Sequence, residues 1–170
     1  MITIKTTTSL AMLLSSLFLM SHPVSAATWS ASASVCQPSE RSAGLYQFDG
    51  SHFSFSGSNT GEILARCHVT NLMDSGAPAW NTMVVGYKDP DGTGIDYQVT
   101  AQLSRVDKAS GSSTILKTFS SNSFVDKGNT SHNTSFTHTF DFDNYAYFVT
   151  LTLDRVNTSD KSAVWFVQLK

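Results

Sequence analysis

Apolar and polar residues alternate strictly along much of this chain, and a period of two is the signature of strands with one buried face. The clearest run is Tyr97-Gln98-Val99-Thr100-Ala101-Gln102-Leu103-Ser104. It puts Tyr97, Val99, Ala101 and Leu103 on one side and Gln98, Thr100, Gln102 and Ser104 on the other, the form of an antiparallel strand between core and water. Similar runs predict strands near 28–34, 44–48, 52–57, 61–70, 80–88, 95–106, 113–119, 134–142, 145–154 and 162–169. Phe136, His138, Phe140 and Phe142 share a face, Asp143-Asn144 reads as a turn, and the alternation resumes from Tyr145 to Leu153. That pair is the strongest hairpin candidate. The stretch 120–133 carries little pattern and reads as a long connection, pinned at one point by Phe124-Val125.

Beyond residue 27 no segment repeats at the helical period. Turn signals such as Asp89-Pro90-Asp91-Gly92 and Lys108-Ala109-Ser110-Gly111 punctuate the strands. The expected fold is therefore all-β: a two-sheet antiparallel β-sandwich, with the jelly roll as one form of it and a closed barrel as the alternative.

The N-terminus follows different rules. Lys5 precedes an apolar run, Leu10–Met20, and His22-Pro23 is followed by the small residues Val24-Ser25-Ala26. This order is that of a signal peptide over 1–26, with cleavage after Ala26, or after Ala27 as second choice. The apolar run is shorter than the roughly 20 residues that span a bilayer as a helix. A single domain over 27–170 is expected, secreted or periplasmic, with no transmembrane anchor after cleavage. Cys36 and Cys67 are the only cysteines, and an oxidising compartment permits a disulfide between them.

Composition narrows the partners. Charged residues make up 14% of the chain and the formal net charge is −2, against about 25% charged in an ordinary domain. A nucleic-acid-binding role lacks its electrostatic footprint. The outward strand faces are instead built from Ser, Thr and Gln, a neutral polar surface that suits a glycan or a protein partner.

Several segments are candidates for chemistry. In Asp89-Pro90-Asp91-Gly92-Thr93-Gly94-Ile95-Asp96, carboxylates stand at first, third and eighth positions with glycine at the sixth, as in a calcium loop. The fifth position is Thr93 and the twelfth is Thr100, so the pattern is incomplete and a glycine-rich strand connection is the alternative. Calcium is the only cofactor the sequence points to, with Asp89, Asp91 and Asp96 as its ligands. His52, His68, His132 and His138 show no metal-ligand spacing; His138 reads as a core histidine and His68 as part of a solvated face. Asp141 and Asp143 stand two apart before a turn, where a glycosidase pair would come from separate elements. No Gly-x-Ser-x-Gly elbow is present, so no catalytic residue is assigned. The aromatics suffice for a sugar-stacking surface, and Trp80, beside Ala77-Pro78, is the ligand-binding candidate.

The segments Ser34-Val35-Cys36-Gln37-Pro38, Ile63–Val69 and Tyr145–Arg155, together with the leader, resemble a loose group of small exported proteins of Gram-negative bacteria. The group carries no settled activity, so the resemblance implies a fold and a compartment and no chemistry. The expected function is a non-catalytic binding or surface role. A carbohydrate-binding module using exposed aromatics, a fimbrial-type subunit and a hydrolytic enzyme are the alternatives. Fimbrial chains usually end with a penultimate tyrosine, where this sequence has Leu169.

Overall fold

The computed structural model describes residues 27–71 and 76–170. The expected signal peptide, 1–26, lies outside the described residues. Among those described, no helix is long and apolar enough to cross a membrane.

The strands are β1 (Trp29–Ser32), β2 (Gln37–Pro38), β3 (Tyr46–Asp49), β4 (His52–Phe55), β5 (Gly61–Val69), β6 (Thr82–Asp89), β7 (Tyr97–Asp107), β8 (Ser113–Ser120), β9 (Gly128–Ser135), β10 (Tyr145–Arg155) and β11 (Ala163–Leu169). One sheet runs β3-β4-β11-β6-β9, with β1 also paired to β11; the other runs β2-β5-β10-β7-β8. Every pairing is antiparallel. From β4 onward the chain crosses between the sheets at each connection except β7 to β8. Within these eight strands the order is first-eighth-third-sixth in one sheet and second-seventh-fourth-fifth in the other, which is the jelly roll. The sandwich expected from the alternation is thus the one observed.

The core fills from both inner faces. Val99, Ala101 and Leu103 of β7 are fully buried, as are Val149, Leu151 and Leu153 of β10, and they meet Phe53, Phe55, Val85, Val167 and Leu169 from the other sheet. Each large side chain so buried stabilises the fold by about 1.5–3 kcal/mol. Cys36 and Cys67 form a disulfide across a separation of 31 residues. By the chain-entropy account a bridge of that span contributes about 3–4 kcal/mol. It joins the short β2 to β5 one position beyond the Gln37–Arg66 pair.

Two expectations are corrected. The segment 134–142 is not the first arm of a hairpin. The strand there is β9, Gly128–Ser135, which pairs with β6 in one sheet while β10 lies in the other. The stretch 120–133 is correspondingly no long loop: it holds a 3₁₀ turn, Ser121–Ser123, and then most of β9. The cause is composition. Gly-Asn-Thr-Ser-His-Asn-Thr-Ser alternates between half-buried and exposed without one aliphatic residue, so an edge strand hides from an apolar pattern. Phe136–Asn144 leaves the sheet to close one end of the sandwich. Phe136 and Phe140 are buried, and their alternation reflects filling of that end rather than strand pairing.

Candidate functional site

The sheet β3-β4-β11-β6-β9 has an outer face that departs from the neutral polar pattern at its centre. Along β11, Val164 pairs with Tyr87 and Phe166 with Gly86, so Trp165 is the extra residue of a bulge. A regular strand would send Trp165 and Phe166 to opposite faces; the bulge leaves both on the outer one. Gly86 confirms the placement. A Cβ at this position would collide with the Phe166 ring and with Trp165 Nε1. Glycine inside a strand here serves close approach: both side chains occupy the space over the Gly86 backbone. Both remain partly exposed, and the His52 ring stands 5.4 Å from that of Trp165.

Polar side chains surround this aromatic centre. The registers place Gln47 and Asp49 of β3, Ser54 of β4, Gln168 of β11, and Asn129, Ser131 and Asn133 of β9 on the same face. At one end lies a groove of about 510 Å³, lined among others by Gln47, His52, Ser54, Lys88 and Asp160. Lys88 Nζ donates to Asp160 Oδ1 at 2.5 Å, and that contact holds the Asp160 carboxyl below its usual range. The wall of the groove is built by Arg155, which is 2% exposed. Its guanidinium donates to the carbonyls of Asn157 (2.9 Å), Gly57 (3.0 Å), Asn59 (2.8 Å) and Thr158 (2.9 Å). One side chain therefore fixes the β4–β5 and β10–β11 connections together. The arrangement offers apolar ring faces flanked by neutral donors and acceptors.

The residues singled out in the sequence are placed elsewhere. Trp80 is 2% exposed; its Nε1 donates to the Ala27 carbonyl at 2.8 Å, and its ring meets Phe140 edge to face at 5.1 Å. It is a core residue and no stacking platform, because Ala77–Ala79 lead it under the Phe136–Phe142 segment. Trp165 was the informative tryptophan. Two adjacent bulky aromatics in an otherwise alternating strand, facing a glycine in its neighbour, were the signal for it.

His138 is paired as a core histidine would be: its Nε2 lies 3.0 Å from the Tyr147 hydroxyl. Burial, with Arg105 nearby, lowers its pKa. Asp141 Oδ1 accepts from the backbone N–H groups of Asp143 (3.1 Å) and Asn144 (3.0 Å), an Asx turn that accounts for the acidic pair.

The expected calcium loop is only partly assembled. Asp89 ends β6 fully buried, and its Oδ1 accepts from the backbone of Asp91 (3.2 Å) and Gly92 (3.1 Å). Asp91 Oδ2 accepts from the Asp96 N–H at 2.9 Å. Gly94 leaves room for that, since a Cβ there would collide with the Asp91 carboxylate. Asp96 is turned away: its Oδ2 accepts from Asn157 Nδ2 at 2.5 Å. Burial, with the Asp91 carboxylate beside it, pushes Asp89 up to about 6, opposed by the Ser121 hydroxyl. Among the described residues no three His, Cys, Asp or Glu side chains gather as a metal-binding group.

No family model and no curated protein matches the sequence. Solved structures of carbohydrate-binding modules do align with it. A xylan-binding module, CBM15, is 8% identical, covering 85% of this chain and 95% of its own, with a TM-score of 0.49. The CBM36-1 domain of a multidomain xylanase from the hindgut metagenome of Trinervitermes trinervoides is 6% identical over 85% of this chain and 97% of its own, TM-score 0.46. A CBM36 in complex with calcium and xylotriose is 14% identical over 84% and 99%, TM-score 0.42. Likeness of this degree carries no ligand from those modules to this chain.

Proposed function

We propose that this chain is an exported, non-catalytic glycan-binding domain that lays a polysaccharide along the outer face of the β3-β4-β11-β6-β9 sheet. The observation that carries this reading is the β11 bulge, which exposes Trp165 and Phe166 side by side over Gly86. A pyranose ring has apolar C–H faces and a rim of hydroxyls. The flat faces of Trp165 and Phe166 suit the first, and Gln47, Ser54, Asn129, Ser131 and Gln168 suit the second. Five strands spaced about 4.8 Å apart give a surface about 20 Å across, long enough for a chain rather than a single sugar. A neutral glycan fits better than an acidic one, since Lys88 at the rim is paired with Asp160 and the face also carries the Asp49 carboxylate. Export rests on the leader over 1–26, and the non-catalytic character on the face being a platform of rings and amides.

The test is gel retardation by a panel of soluble neutral and acidic polysaccharides. At least one neutral polysaccharide is expected to retard the protein. Trp165→Ala should weaken that retardation at least tenfold while leaving the melting temperature within a few degrees. Absence of retardation across the panel, or equal retardation of the variant, would overturn the proposal.

A further inference from the structure

At the far end of β6 the molecule buries carboxylate oxygens that no cationic side chain among the described residues pairs with. Tyr87 and Asp89 point to the same side of β6 and are both fully buried. The Tyr87 hydroxyl, Asp89 Oδ2 and Asp91 Oδ1 are each buried without a hydrogen-bond partner in the protein. Buried polar atoms are almost always satisfied, and orphaned oxygens on two carboxylates of one turn, Asp89 and Asp91, are a strong exception. Isolated buried carboxylates are costly unless paired or bound to a metal.

The surroundings are oxygen-rich. The connection 121–126 closes over the Asp89–Asp96 turn, tied to it by Asn122 Nδ2 donating to the Gly94 carbonyl at 2.5 Å. Gly92, at φ +66°, lies so near this connection that a Cβ there would stand 2.9 Å from the Val125 carbonyl oxygen and 3.4 Å from that of Asp126. Among the described residues no lysine or arginine pairs with Asp89 or Asp91. The nearby imidazole of His132 is engaged with the Asp126 carboxylate at 2.9 Å.

We infer that Asp89 and Asp91 form the anionic half of a buried calcium site between the 89–96 and 121–126 connections, completed by neutral oxygens. The Val125 and Asp126 carbonyls, which approach this turn at Gly92, are the neutral oxygens nearest to hand. Calcium takes six to eight oxygen ligands in flexible geometry and accepts a mixture of carboxylates, carbonyls and water; an all-oxygen set with no sulfur and no free imidazole selects against zinc and copper. The site differs from the sequence expectation in its third member. Asp96 is excluded by its bond to Asn157, and the second half comes from a connection some 30 residues away in sequence. The alternative is a proton shared by the two carboxyls, without metal. The inference is independent of glycan binding, which takes place on the opposite surface of β6 and is read by a different assay.

The test is the melting temperature of the full protein in calcium against chelator, alongside terbium luminescence and its displacement by calcium. Calcium at a hundredfold excess over its dissociation constant should raise the melting temperature by about 5–10 °C, and magnesium at the same concentration by less than half of that. Asp89→Asn and Asp91→Asn should each abolish the calcium shift, and Asp96→Asn should keep it. Asp91, being only partly buried, supplies the arm that survives if Asp89→Asn fails to fold. A wild-type protein with neither a calcium shift nor terbium emission overturns the inference in favour of the shared proton. So does an equal magnesium shift, or a shift retained by Asp91→Asn.

Discussion

Replacing Gly86 by alanine tests the aromatic platform with a single methyl group. Gly86 is not among the glycines with positive φ, so the backbone accepts alanine. In the absence of any clash the substitution would stabilise by about 0.4–1 kcal/mol through the unfolded chain. The structure adds a clash: the new Cβ would overlap the Phe166 ring and Trp165 Nε1. Overpacking of this kind costs about 1–3 kcal/mol where the neighbours are fixed. Here the neighbours are partly exposed rings that swing outward, so the cost falls at the lower end. The two terms nearly cancel, giving a net destabilisation of about 0–1 kcal/mol, or at most about 4 °C in melting temperature. Binding should respond far more. Rings lifted off β6 lose the placement that Gly86 permits, and affinity for the retarding polysaccharide should fall at least tenfold. Calorimetry and polysaccharide gel retardation on the same preparation, with tryptophan fluorescence reporting the displaced indole, supply the readout. An alanine variant stabilised by the full entropic term, with unaltered fluorescence and affinity, would refute both the placement of the rings and their role.

Two further outcomes follow from buried polar groups. Arg155→Lys keeps the charge but cannot reach four carbonyls on two connections, so it should destabilise by about 2–4 kcal/mol; urea denaturation measures this, and a loss under 1 kcal/mol would show that the guanidinium is not the clamp. His138 has its pKa lowered by burial and by Arg105, below the unfolded value of about 6.5. The unfolded chain therefore binds the proton first as pH falls, and this contribution to stability is present above pH 6.5 and lost below it. The difference in urea midpoint between wild type and His138→Gln should shrink as pH drops from 7.5 to 5.5, and a constant difference would exclude the effect.

The alternation of Tyr97–Ser104 was sufficient for the burial of Val99, Ala101 and Leu103, because a strand with one apolar face has few other places to go. The pairing of Cys36 with Cys67 was likewise legible, there being no other cysteine to choose. Phe136–Phe142 shows the limit of the same reasoning. Its rings alternate, yet they plug an end of the sandwich, while the true strand before it carries no aliphatic residue at all. Periodicity reports which side chains are buried and is silent on what buries them.

The candidate site lay further from view. Trp80 and Trp165 both stand among apolar neighbours, and only the packing distinguishes a tryptophan under the Phe136–Phe142 segment from one raised onto the surface by a bulge. Asp89, Asp91 and Asp96 were visible as a carboxylate pattern, but which of them converge depended on Asn157 capturing Asp96 from the β10–β11 connection. Local period and residue identity were enough for the fold class, the disulfide and the neutral polar surface. The jelly-roll order, the aromatic face over Gly86 and the two-connection cluster around Asp89 emerge only from the packing. Each of these depends on contacts between segments far apart in the chain, and no local pattern encodes which distant residue will arrive.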